Sequence, residues 1–181
     1  MFSDPAFRAD YYRLTGREYR FCPKFIIDFV FRHNLRFMYW FRRRKKTNGL
    51  LAKIQLYRYS RKFGLEVSPT ASFGPGLLLG HPYNITIGDG VQMGSNINIH
   101  KGATIGVENR GRRKGAPKIG SNVYIGINAT VIGNICIGDD VMIAPGAFVN
   151  FDVPGHSIVL GNPAVIHHRE NATEGYVCSR I

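Results

Sequence analysis

The chain has 181 residues, with 24 lysines and arginines against 12 acids and a formal net charge of +12. This length fits one domain plus an appendage. It has no signal-peptide pattern and no stretch that could cross a membrane, and its three cysteines are too widely spaced for a disulfide framework or a zinc motif. We therefore expect a cytoplasmic protein with reduced thiols and no metal.

Residues 1–64 form the first predicted unit, a basic helical region. It carries sixteen Lys and Arg against four acids, which is the whole charge excess of the chain. We expect a turn at Asn48-Gly49 and a helix over 50–63. From Arg32 to Lys62 there are eleven basic residues, no acid and many interleaved aromatic residues. Such helices suit an anionic membrane surface or an acidic glycan, or they only cap the next unit; without a nucleic-acid module, nucleic-acid binding is not expected.

Residues 65–166 form the second predicted unit, in which aliphatic residues recur every six positions. The ladder runs over Ile87, Met93, Ile99, Ile105, Ile119, Ile125, Val131, Ile137, Ile143 and Val149. A second apolar set lies four residues after the rungs, as at Val91, Val123, Ile135 and Val141. No α-helix repeats every six residues, whereas a three-sided parallel β-helix with six-residue faces does. We predict a mainly β solenoid of five to six turns, capped by residues 1–64.

The ladder is interrupted at two places. Upstream, the period slips by two residues at 81–84. Downstream, Ile105 and Ile119 are fourteen residues apart, two more than two full faces, so residues 107–117 are predicted to form an extruded loop. Loops on a rigid scaffold often carry function, and this one is rich in arginine. Residues 167–181 are predicted to form a C-terminal tail.

His81, at the upstream slip, is the strongest candidate for a catalytic side chain. A neutral imidazole can take a proton from an alcohol near pH 7. Glu66 lies fifteen residues upstream, close to one turn, and we expect its carboxylate to hold the His81 ring. His100 follows rung Ile99 at a corner, where it is a substrate contact, an alternative base or a solvated residue.

Residues 65–164 resemble the left-handed β-helix domain of the hexapeptide acyltransferases. The similarity is greatest to serine O-acetyltransferases and their relatives in polysaccharide biosynthesis. It rests on the segments LEVSPTASFGPGLLLGHP, HKGATIG, APKIG and GNPA. The resemblance implies that His81 is the general base and that Glu66 replaces the partnering Asp of the family. It further implies acetyl-CoA as co-substrate, and a homotrimer with CoA bound in grooves between subunits.

The resemblance also implies a set of binding residues. Val107, Ile127 and Pro145 match positions that contact acetyl-CoA, largely through backbone groups. Independently of the resemblance, Lys118 and Arg169 are candidate partners for the CoA phosphates because they are cations. Arg110, in the extruded loop, is a candidate contact to the phosphates or to the acceptor.

Two departures from the serine enzymes concern the acceptor. Gly80 stands where they have an Asp before the catalytic His, and Gly115-Ala116 stands where they have an Arg-His pair. Without these charges the chain lacks charge-assisted hydrogen bonds to an amino acid. We therefore predict an acetyl-CoA-dependent O-acetyltransferase that acts on a hydroxyl of a sugar or polysaccharide precursor by direct transfer.

Three alternatives stay open. The first is a serine O-acetyltransferase of cysteine biosynthesis. The second is a metal-dependent β-helix enzyme of the carbonic anhydrase type, which needs three convergent histidines. The third is a non-enzymatic trimeric β-helix scaffold.

Overall fold

The computed structural model describes residues 2–181 and places four helices before the β region. They are α1 (Pro5–Thr15), α2 (Pro23–Phe31), α3 (His33–Thr47) and α4 (Leu50–Phe63). The Asp4 carboxylate caps α1 by accepting from the Ala6 N–H at 3.0 Å. The left-handed residue Asn48 separates α3 from α4, in agreement with the predicted turn and helix. None of the helices described is long and apolar enough to cross a bilayer.

Fifteen short strands follow in the described part of the chain. They are β1 (Leu65–Val67), β2 (Ser72–Phe73), β3 (Leu78–Gly80), β4 (Ile85–Ile87), β5 (Gln92–Met93), β6 (Asn98–His100), β7 (Thr104–Gly106), β8 (Lys118–Ile119), β9 (Tyr124–Ile125), β10 (Thr130–Ile132), β11 (Cys136–Ile137), β12 (Val141–Ile143), β13 (Phe148–Val149), β14 (Ser157–Leu160) and β15 (Val165–His168). Each strand from β1 to β10 pairs in parallel with the strand three positions later, and β12 pairs in parallel with β14. The result is a parallel β-helix.

The β-helix has three faces. The first face stacks β1, β4, β7, β10 and β13, and the second stacks β2, β5, β8 and β11. The third face stacks β3, β6, β9, β12 and β14, and β15 closes it as an antiparallel strand. All ten rungs of the predicted ladder are buried, as is the second apolar set. The predicted solenoid is confirmed.

Two different constraints explain the small and polar residues of the repeat. Left-handed backbone recurs every six residues, directly before the second apolar set, at Asn84, Gly90, Asn96, Gly102, Asn122, Asn128, Asp140 and Gly146. Glycines that follow the rungs have ordinary φ angles and serve close approach instead. A Cβ on Gly94, for example, would lie 2.8 Å from the backbone carbonyl of Gly120 in the next coil. Left-handed backbone accounts for one set of Gly, Asn and Asp residues, and the close approach of neighbouring coils accounts for the glycines after the rungs.

Coil length identifies where the chain leaves the regular path. Ile87 pairs with Ile105 after 18 residues, whereas Leu79 pairs with Ile99 after 20. Two faces were predicted between Ile105 and Ile119, and this count was wrong. Because β7 and β8 lie on adjacent faces, residues 107–117 are inserted at one corner. Glu108 and Gly115 close that loop with two backbone hydrogen bonds of 3.0 Å.

A buried ion pair fastens the helices to the first coil. Two nitrogens of Arg42 donate to the two carboxylate oxygens of Asp10, each at 3.0 Å. Arg42 also donates to the carbonyls of residues 73–74, and Asp10 accepts from the backbone N–H groups of residues 76–77. The pair therefore satisfies four backbone groups at the open end of the solenoid.

Residues 169–181 run back along the third face toward the helices. Asp140 accepts from the backbone N–H and the hydroxyl of Thr173 at 3.1 and 2.6 Å. Burial alone would raise the pKa of Asp140, but these hydrogen bonds lower it below its usual value. Further along, the ring of Tyr176 lies 5.0 Å from that of Tyr124. The tail is thus packed against the solenoid.

Replacing Asp10 by Ala should destabilise the protein strongly, because Arg42 would stay buried without its partner. We expect a loss of about 3–5 kcal/mol in the free energy of unfolding, measured by urea denaturation. Glu18→Gln is the control, since Glu18 is exposed and should change stability by less than about 0.5 kcal/mol. Equal effects of the two substitutions would contradict this role for the pair.

Candidate active site

His81 lies on the bend between β3 on the third face and β4 on the first. Its φ is +48°, which is left-handed backbone and uncommon for a residue with a Cβ. Its carbonyl accepts from the Tyr83 N–H at 2.7 Å, which tightens the bend, and its side chain is exposed. Such backbone outliers concentrate at functional sites.

The N-terminal helices hold this bend in place. The Asn34 side-chain amide donates to the Leu79 carbonyl at 3.1 Å, just before the bend. His33 Nε2 lies 3.4 Å from the Pro82 carbonyl, just after it. Burial lowers the pKa of His33, so its ring is neutral near pH 7 and can donate through this nitrogen. The helical region therefore positions His81 as well as capping the solenoid.

No sequence signal pointed to these two residues. Asn34 lies 45 positions before the carbonyl that it binds, and His33 lies 49 positions before its own partner.

The ring of His100 lies beside that of His81. Their ring centroids are 6.2 Å apart, and the His100 ring lies 4.8 Å from that of Tyr124 on its other side. Burial lowers the pKa of His100 from its usual 6.5, and the proximity of His81 lowers it further. His100 is therefore held as a neutral ring beside the candidate base.

The same ring explains why residue 80 is a glycine. Gly80 pairs in register with His100 on the third face. A Cβ on Gly80 would lie 2.5 Å from Cε1 and 2.7 Å from Nδ1 of His100. The imidazole thus fills the space that a larger residue at position 80 would need.

The predicted contact between Glu66 and His81 is not formed in the described part of the chain. Glu66 is exposed on β1, in register with Thr86, and accepts from the Ser60 hydroxyl of α4 at 3.3 Å. The end of α4 engages the carboxylate that was expected to hold the imidazole. The role of Glu66 as the partner of His81 stays a prediction.

One edge of the solenoid gathers part of the predicted set. His81, Ile127 and Pro145 all lie between a strand of the third face and the next strand of the first face. On the same edge, a shallow cavity of about 360 Å³ is lined by Tyr83, Asn84, Lys101, Gly102 and Asn128. Sequence reasoning missed Lys101, although it lies within the segment HKGATIG. Its exposed ammonium is a cation close to the His81 bend.

The remaining predicted residues lie elsewhere on the chain. Val107 and Arg110 belong to the loop between the first and second faces, and Lys118 is exposed on the second face. Arg169 follows β15, five strands away from β3 across the third face. These residues do not join His81 within one chain.

The described residues contain no group of three or more His, Cys, Asp or Glu that could hold a metal ion. His81 and His100 have no third such partner among them. The arrangement instead offers a strained, exposed imidazole beside a neutral one, on an edge with a nearby cation. This combination suits proton transfer to or from a bound hydroxyl.

Comparison with known proteins identifies the family. The family "Bacterial transferase hexapeptide (six repeats)" matches residues 116–150. A solved structure of serine acetyltransferase from Neisseria gonorrhoeae in complex with serine is 31% identical with a TM-score of 0.75, and the match covers 90% of this chain and 67% of that one. The chain belongs to the hexapeptide-repeat transferase family. Its left-handed parallel β-helix was predicted correctly from the six-residue repeat and the resemblance.

Other relatives carry the same description. Serine acetyltransferase 2 of Arabidopsis thaliana is 40% identical over 115 residues, which are 64% of this chain and 36% of that protein. A serine acetyltransferase of Brucella abortus solved with coenzyme A is 26% identical with a TM-score of 0.73, over 91% of this chain and 66% of that one. The chain therefore spans little more than a third of the plant relative's length.

The titration of His100 tests the geometry of the two histidines. We expect the pKa of His100 to lie below 6.5, and His81→Ala to raise it part of the way back, because the neighbouring ring that lowers it is removed while burial remains. NMR of the imidazole protons measures the His100 pKa in the wild type and in His81→Ala. His167→Ala, at an exposed position on β15, is the control and should leave the His100 titration unchanged. An unaltered His100 pKa in His81→Ala would contradict the proximity of the two rings.

Proposed function

We propose that this chain is an acetyl-CoA-dependent O-acetyltransferase with His81 as its general base. One observation supports it most strongly: His81 is held in left-handed backbone on an exposed edge by two side chains from the helical region. Relatives named as serine acetyltransferases, one of them solved with coenzyme A, supply the reaction class.

The proposed step is a direct transfer. The imidazole of His81 takes the proton from the acceptor hydroxyl while that oxygen attacks the thioester carbon. A C–O bond forms, the C–S bond breaks, and the imidazolium returns the proton to the departing thiolate. Because His100 is neutral, it adds no charge that would oppose the imidazolium. Lys101 and Lys118 are the exposed cations that we assign to the phosphates of the co-substrate.

The comparisons support serine as acceptor better than the sugar predicted from the sequence. The relatives reported above are serine acetyltransferases, and one of them was solved with serine. They give no support to a role in polysaccharide biosynthesis. L-serine is therefore the first acceptor that we propose.

A sugar hydroxyl is the second candidate because of a specific contact. The ring of His100 occupies the space beside Gly80 where an acidic side chain would have to lie. Gly115 has a φ of +134°, which disfavours an arginine at that position. Both departures remove charged groups that would recognise an amino acid.

We propose a homotrimer for the active form. Family resemblance assigns Val107 to the co-substrate, and Lys118 and Arg110 are candidate contacts to the phosphates or the acceptor. All three lie on another edge or face than His81. A neighbouring subunit that presents this side would bring the two halves of the site together.

His81→Ala should lower kcat for acetyl transfer by about 10²–10⁴-fold, since a positioned general base contributes that much. Thiol release from acetyl-CoA, measured with L-serine and with a panel of nucleotide sugars and oligosaccharides, checks it. His167→Ala, at an exposed position on β15, is the matched control. Full activity in His81→Ala would contradict the assignment, and a wild-type chain that neither binds CoA nor releases thiol would favour the scaffold alternative.

The double variant Gly80→Asp with His100→Ala tests the acceptor. Removing the ring makes room for a carboxylate, and we expect kcat/KM for serine to rise about tenfold relative to sugar acceptors, through one charge-assisted hydrogen bond. Gly80→Asn with His100→Ala has nearly the same shape without the charge and should show no such rise. Efficient use of serine by the wild type, unchanged in the double variant, would eliminate the sugar candidate.

A further inference from the structure

The helical region carries most of the exposed apolar surface of the chain. Of the fifteen large apolar side chains exposed in the described residues, nine lie between positions 21 and 57. They are Phe21, Ile26, Ile27, Val30, Phe31, Leu50, Leu51, Ile54 and Tyr57. On α2 and α4 they occupy the outer surface, opposite the buried residues Phe25 and Ala52. We call these nine residues the apolar patch.

The two helices of the apolar patch border one groove. Arg36 of α3 donates to the Phe29 carbonyl at the end of α2 and to the Tyr59 hydroxyl of α4, at 2.9 and 3.0 Å. These contacts fix α2 and α4 on either side of α3. Between them lies a cavity of about 390 Å³ whose floor is aromatic and whose rim includes Arg58 and Lys62.

The charged side chains that line the groove, Arg36, Arg58 and Lys62, are all basic. No acidic residue occurs from position 29 to position 65, while α4 alone presents Lys53, Arg58, Arg61 and Lys62 as exposed cations. Within the described residues, none of these four cations pairs with a carboxylate. Aliphatic residues next to unpaired cations match an interface whose outer layer is anionic and whose inner layer is apolar.

Other occupants fit this surface less well. A second copy would bring two faces with the same positive charge together, which costs electrostatic energy. Nucleic acid would satisfy the cations, but its phosphate backbone offers no partner for exposed isoleucines and leucines. An anionic bilayer satisfies both kinds of side chain.

We propose that α2 and α4 dock this protein on a bilayer with anionic headgroups. The apolar patch enters the headgroup region, and Arg58 and Lys62 bind lipid phosphates at the groove. The helices lie on the surface, as their length requires. This inference goes beyond the proposed acetyl transfer and does not depend on the acceptor.

Co-sedimentation of the full chain with vesicles tests the proposal. We expect binding to vesicles of phosphatidylcholine mixed with phosphatidylglycerol and much weaker binding to phosphatidylcholine alone. Added salt should weaken the first interaction, since it screens exposed charges. Acetyl transfer to a soluble acceptor, measured without vesicles, should be the same in wild type and variants, so a failure of docking is distinguishable from a failure of the proposed function.

Two variants separate the charged and apolar contributions. Arg58→Gln with Lys62→Gln should reduce partitioning onto the anionic vesicles about tenfold. Ile27→Gln with Leu51→Gln should reduce it about tenfold as well, by removing inserted apolar surface. The matched controls are Arg112→Gln with Lys114→Gln in the extruded loop, and Leu160→Gln with Val165→Gln on β14 and β15. All four residues are exposed, and their replacement should leave vesicle binding unchanged.

The proposal is overturned if wild type binds both kinds of vesicle equally or not at all. It is also overturned if both patch variants bind like wild type while urea denaturation shows that they are folded. Self-association in analytical ultracentrifugation that Ile27→Gln with Leu51→Gln abolishes, without vesicle binding, would assign the patch to a second copy. Binding to heparin alone would assign it to a soluble polyanion.

Discussion

The separation between successive coils is the constraint on which the rest of this structure depends. Backbones stacked at strand spacing leave room for Ile and Val inside the coil but not for side chains where one corner lies over the next. Gly94 and Gly126 show this directly, because a Cβ on either would lie within 3 Å of the neighbouring coil. Two requirements therefore produce the six-residue period: aliphatic side chains must fill the core, and glycines must occupy the positions where neighbouring coils approach closely.

The candidate site lies where this constraint is relaxed. The connection between β3 and β4 contains two extra residues. Within it, His81 adopts left-handed backbone at a position outside the six-residue series that includes Asn84 and Gly90. A regular corner would leave its side chain on an ordinary surface. The irregular bend instead exposes an imidazole beside His100, and contacts from His33 and Asn34 support the backbone on both sides. Rigid neighbours and a strained bend together fix the position of the imidazole that we propose as the base.

The helical region has three connected tasks. Its Asp10–Arg42 pair closes the open end of the solenoid, its α3 residues position the His81 bend, and its outer surface presents the apolar patch. The helical region carries the apolar patch and also supports the His81 bend. A surface that binds α2 and α4 would therefore have a fixed orientation relative to the edge of the solenoid that carries His81. With this arrangement, a protein bound through α2 and α4 would present His81 to its acceptor in one fixed orientation.

The sequence determined the solenoid, its core ladder and the positions of both interruptions, because a six-residue period and its breaks are local patterns of the chain. It singled out His81, whose role as the base stays a proposal. It also located the turn at Asn48 and the charge excess of residues 1–64. Only the tertiary structure decided that Ser60 binds Glu66, that His100 fills the space beside Gly80, and that residues 33 and 34 support the bend. These contacts depend on how helices and coils pack in space, which no local pattern of the sequence reports.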